Sequence, residues 1–74
     1  MIKAGQLRRW VWNHSPLPVA WEDKIILIVE ESLRWIDSDG GRHSNWTFII
    51  NGQLEPSWRD EDIEKFSEVV SEPG

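Results

Sequence analysis

The chain contains no cysteine and no tyrosine, a single methionine and no long apolar run. Without cysteine there is no disulfide, no thiolate zinc site and no thiol nucleophile, so packing alone must hold the fold. The longest uninterrupted apolar stretch, Ile25 to Val29, is five residues, against the ~20 needed for a helix to cross a bilayer. The opening residues Met1-Ile2-Lys3-Ala4-Gly5 offer no hydrophobic region of signal-peptide length. A soluble, cytoplasmic protein with no membrane partner is the expectation. Positive charge is also scarce: 8 Lys and Arg face 13 Asp and Glu, for a net charge of −5. That balance opposes bulk attraction to a phosphate backbone. The excess is local. Residues 1–50 carry six cations and six anions, and residues 51–74 carry two against seven. The first fourteen residues hold Lys3, Arg8 and Arg9 and no acid.

What the chain does have is tryptophan. Six indoles in 74 residues supply much of the apolar area that a small core otherwise lacks. The length suits one domain and excludes a doubly wound cofactor-binding sheet. With 39% hydrophobic and 28% charged residues, the composition is that of a lean globular domain.

Residues 6–13 read as a first strand, with Leu7, Arg9 and Val11 on one face and Arg8, Trp10 and Trp12 on the other. Pro16 and Pro18 cannot donate to a ladder and turn 14–18 into a loop. Residues 22–38 admit two readings. As a helix, Ile25, Ile26, Val29, Leu33 and Ile36 form an apolar stripe. As strands, Ile25 to Val29 place four β-branched residues in five positions, where stiff χ1 angles cost least. Composition favours strands, with 33–37 a continuation or a hairpin partner. Residues 37–45 read as a polar turn or mobile tip. Trp46 to Ile50 alternates as a strand, and Asn51-Gly52 suits a type I′ turn. The chain returns over 53–58, where Pro56 confines the strand to an edge or ends its pairing. Residues 59–66 predict one or two helical turns opened by Asp60, Glu61 and Asp62. A short last strand covers 68–71. Together these elements predict a mainly β fold: a small, strongly bent barrel of about five strands with one helical turn before the last.

The opening Lys3-Ala4-Gly5-Gln6-Leu7-Arg8-Arg9-Trp10, the strand running into Gly52 and the ending Ile63-Glu64-Lys65-Phe66-Ser67-Glu68-Val69-Val70 together resemble small SH3-like barrel proteins of bacteriophage and marine viral origin. The similarity lies in framework residues, and Gln6 replaces the usual Asp after the first glycine. It implies the SH3-like barrel over residues 1–74 and a viral source, and carries over no catalytic or ligand residue.

The histidines, His14 and His43, both fall in predicted loops. Asp37-Ser38-Asp39-Gly40 is similar to part of a calcium loop, but Gly40 comes two positions early and Phe48 stands where the bidentate Glu belongs. A turn is the better reading. Paired carboxylates at Glu22/Asp23, Glu30/Glu31 and Asp60/Glu61/Asp62 read as solvated faces. No nucleophile elbow or phosphate loop is present, so the chain is expected to be non-enzymatic, with no cofactor, metal or small-molecule substrate. Arg8, Arg9, Trp10 and Trp12 form a basic-aromatic cluster that could pin phosphates and stack bases on a single strand. The competing reading makes the tryptophans core or interface residues and pairs the arginines with the acidic C-terminal third. An aromatic cage for a cation is a weaker third reading, since Tyr is absent. A barrel this small cannot hide every indole, and exposed patches mark partners. The expected role is a protein–protein interaction or assembly module, self-association being its economical form. Arg8, Arg9, Trp10, Trp12, Trp35 and Trp58 are the candidate surface. Single-strand nucleic-acid binding is the alternative, disfavoured by charge.

Overall fold

The computed structural model describes residues 1–11 and 21–73. Five antiparallel strands form one sheet: β1 (Leu7–Trp10), β2 (Ile25–Ile36), β3 (Arg42–Ile50), β4 (Gln53–Arg59) and β5 (Ser67–Ser71), with helix α1 (Asp60–Phe66) between the last two. The strand order is β4-β3-β2-β1-β5. The predicted loop at 14–18, together with Trp12, lies outside the described residues.

The β-branched run forms strand, and the helical reading of 22–38 is overturned. Of the two strand readings the continuation holds, because β2 runs unbroken for 12 residues. Register irregularities between Ile28 and Glu30 and between Glu31 and Leu33 let so long a strand bend. The expected polar tip at 37–45 is shorter than predicted. Residues 42–45 belong to β3, pairing Arg42 with Ile36, His43 with Trp35, Ser44 with Arg34 and Asn45 with Leu33. Their polar side chains hid a strand whose backbone partner was already in place. The turn itself is organised by Asp37, whose Oδ1 accepts from the Asp39 and Gly41 amides at 2.9 and 2.8 Å. Asn51 and Gly52 take φ of 53° and 72°, as a type I′ turn requires. β4, which carries Pro56, is an edge strand, and its pairing with β3 does not end at the proline but continues at Trp58 and Arg59.

Among the described residues the sheet does not close into a barrel. β4 and β5 are its two edges, no ladder joins them, and the seven residues of α1 carry the chain from one to the other. α1 buries Ile63 and Phe66, which join Ile2, Trp10, Ile26, Ile28, Phe48 and Ile50 in the core. Trp10 sits at its centre. Its ring meets Trp21 and Trp58 edge-on at 5.2 and 5.6 Å, and Phe48 and Phe66 at 6.0 and 5.9 Å, arrangements that add to the burial energy. Among the described residues no helix is long and apolar enough to cross a membrane.

Candidate functional site

β1 splits the basic-aromatic cluster. Alternation sends Arg8 and Trp10 inward, at 4% and 0% exposure, and leaves Arg9 outside. Arg9 pairs across the β1–β5 ladder with Glu68. Arg8 is buried, and among the described residues no carboxylate lies in salt-bridge range of it. Its Nε donates to Ser67 Oγ at 2.7 Å, Nη1 to Gln6 Oε1 at 3.0 Å and Nη2 to the Ser67 carbonyl at 3.1 Å. Gln6 in turn donates to Glu72 Oε1 and to the Met1 carbonyl. Desolvation lowers the Arg8 pKa, and the fields of Glu64 and Glu72 work against it. Arg8, Arg9 and Trp10 therefore do not share one accessible surface, so phosphate pinning by Arg8 beside stacking on Trp10 has no geometry to support it. Trp58 is half-buried against Trp10 and Phe48. The exposed apolar groups among the described residues are not indoles but aliphatic side chains.

Those aliphatics are ordered. Leu7 pairs with Leu27, Leu27 with Ile49 and Ile49 with Leu54. Directly opposed residues share a face, so the four make one row across β1, β2, β3 and β4 on the side of the sheet away from Trp10. Ile25 and Val29 extend the row along β2. Leu27 is 40% exposed, Ile25 47% and Leu54 58%. Strand alternation was legible in the sequence, but which apolar face would lack a covering layer was not. One helix of seven residues can cover only one side.

A second site lies where the extended β2–β3 hairpin meets the start of α1. Trp35 stacks on its cross-strand partner His43 with ring centroids 4.5 Å apart and planes 23° apart. Trp35 Nε1 donates to Asn45 Oδ1 at 2.8 Å, and the Arg59 guanidinium stands 4.9 Å over the indole. His43 Nε2 lies 2.9 Å from Asp37 Oδ2, while Nδ1 lies 3.3 Å from Asp60 Oδ1 and 3.2 Å from Glu61 Oε1. Asp60 is anchored by its other oxygen, which accepts from the Ser44 amide at 3.0 Å. The hydrogen bond to the Asp37 carboxylate raises the His43 pKa, partial desolvation works against it, and the bond to Asp60 adds to the rise. The same bond to His43, with the Gly41 amide next, lowers that of Asp37. An open cleft of about 870 Å³ borders these groups, lined among others by Trp35, Trp46, Arg42, His43 and Asp60. The sequence places His43 in a polar turn or mobile tip and gives Asp60 and Glu61 to the helix dipole. Pairing of Asn45 with Arg59 brings residue 60 beside residues 43 and 44, a juxtaposition the strand pattern could disclose only if β3 were begun at Arg42. The chain matches no known family, no curated protein and no solved structure.

Proposed function

We propose that this chain is a non-enzymatic assembly module that associates with a second copy of itself through the outer face of its sheet. The observation that carries this reading is the row Leu7, Leu27, Ile49 and Leu54, widened by Ile25 and Val29. Ile25, Leu27 and Val29 on β2 and Leu54 on β4 are exposed, with Leu7 and Ile49 half-buried between and beside them. Apolar area left in water is unfavourable at roughly 25 cal/mol per Å², and contiguous patches of this kind mark interfaces. A second copy is the partner because the row is uncharged and can meet its own image across a two-fold axis, with the Arg9–Glu68 pair on the rim. In this reading the candidate surface moves from the tryptophans to the aliphatic face. Arg9 keeps a peripheral place, and Arg8 and Trp10 support the module from inside.

In the same reading the domain is an SH3-like barrel left open between β4 and β5, from a phage or related virus working in a host cytoplasm or virion. The long β2 with its two register irregularities and the short helix before β5 favour that architecture. Sedimentation at tens of micromolar should give a dimer or higher species, and Leu27→Glu should return it to a folded monomer. A monomer across that range for the native chain would refute the reading.

A further inference from the structure

We propose that His43, Asp60 and Glu61 bind one divalent transition cation of the zinc, cobalt or nickel kind, with Asp37 as the positioning residue for the histidine. One ligand atom from each of His43, Asp60 and Glu61 lies within 4.8 Å of the other two. Ligands bound at about 2.0–2.2 Å to one ion stand roughly 2.8–3.6 Å apart for octahedral to tetrahedral angles. The distances from Nδ1, 3.3 Å to Asp60 and 3.2 Å to Glu61, fall in that interval. Asp60 Oδ1 makes a hydrogen bond with Nδ1, whereas Glu61 Oε1 comes as near without making one. A proton on Nδ1 serves one of these oxygens. A cation placed between the three atoms serves both.

The surroundings are those of a metal-binding histidine. Its other nitrogen, Nε2, is 2.9 Å from Asp37 Oδ2, so donation there leaves the Nδ1 lone pair facing the carboxylates. That is the carboxylate–histidine arrangement that orients ligating imidazoles. Asp37 is itself held by the Asp39 and Gly41 amides, Asp60 by the Ser44 amide, and the imidazole plane by the Trp35 stack. Two anionic oxygens and one imidazole suit a borderline cation better than calcium or magnesium, which prefer all-oxygen sets. The adjoining cleft gives water access to the remaining coordination positions. Such an ion would clip the start of α1 to β3 and to the β2–β3 turn.

The test uses the whole chain, stripped with a chelator and titrated with Zn²⁺ or Co²⁺ by calorimetry, with indole fluorescence as a second readout. Expected are one ion per chain, a raised thermal midpoint, quenching by Co²⁺ through the stacked Trp35, and no competition from a large excess of Mg²⁺. Glu61→Gln, at a half-exposed position that leaves the fold intact, should weaken binding at least tenfold. Asp37→Asn should weaken it about 10–100-fold, and Glu30→Gln, on the exposed face of β2, should not change it. Absence of saturable binding up to millimolar ion would overturn the proposal. So would binding that survives both Glu61→Gln and His43→Gln, which would place the ion elsewhere on the chain.

Discussion

At the residue scale, burial decides what each aromatic and charged group is for. Trp10 is fully buried and touches four other aromatic rings, so Trp10→Ala should cost about 3–5 kcal/mol. A 74-residue chain has only about 4–11 kcal/mol in total, so urea denaturation should find this variant largely unfolded or close to it. Arg8→Ala strands Gln6 Oε1 and the Ser67 carbonyl and should cost about 1–3 kcal/mol, although it also removes a desolvated charge. An unchanged midpoint would mean that the Gln6–Arg8–Ser67 network contributes nothing. His43 and Asp37 make a pH-dependent contact in the metal-free chain. The raised His43 pKa stabilises the fold fully below the unfolded value near ~6.5, and that contribution disappears as pH rises through the folded value. The lowered Asp37 pKa contributes above ~3.9 and is lost as pH falls through its folded value. The pair is therefore strongest between pH ~4 and ~6.5. With chelator present, the native chain should lose stability relative to His43→Gln as pH rises above ~6.5, and parallel profiles would show that the contact is energetically idle.

At the scale of elements, the turns carry the register. Gly52 lies at φ 72°, and a Cβ added there would meet nothing within 4 Å, so the first cost of Gly52→Val is backbone strain. The cost should be about 1 kcal/mol or more, visible as a lower denaturation midpoint with an unchanged slope. Gly41 poses the opposite problem. A Cβ there would stand 2.7 Å from Asp37 Oδ2, the oxygen that holds His43. Gly41→Ala should displace that carboxylate and lower the His43 pKa, which a histidine proton NMR titration would report. The turn at Asn51-Gly52 was legible because two positive-φ residues followed an alternating apolar strand. The strand at 42–45 was not legible, because Arg42, His43, Ser44 and Asn45 carry no apolar alternation and pair only because β2 extends opposite them.

At the scale of the whole molecule, charge and topology argue against nucleic acid and for a protein face. Most of the positive charge at the N-terminus is spent: Arg8 is enclosed, Arg9 is paired with Glu68, and the amine of Met1 lies 3.5 Å from Glu64, which leaves the exposed Lys3. Titration with a single-stranded oligonucleotide should show no binding tighter than about 100 μM at physiological salt. Salt-sensitive indole quenching at low micromolar DNA or RNA would contradict this. The uncovered aliphatic row has the opposite expectation. Association through Leu27 and its neighbours should persist or strengthen at high salt, because burial of apolar area is not screened.

Local chemistry in the sequence determined the class of the fold, the I′ turn, the edge position of the Pro56 strand and the acidic helix opening before the last strand. Each depends on neighbours within a few residues: β-branching at 25–29, positive φ at 51–52, a missing donor at Pro56. Only the tertiary structure decided which face of β1 turned inward, taking Arg8 with Trp10 and leaving Arg9 outside. It also decided that the sheet stayed open between β4 and β5, and that His43 met residues 60 and 61. Alternation alone assigns two faces without saying which will be covered. That choice depends on where one short helix packs, and its position is set by contacts between residues far apart in the chain.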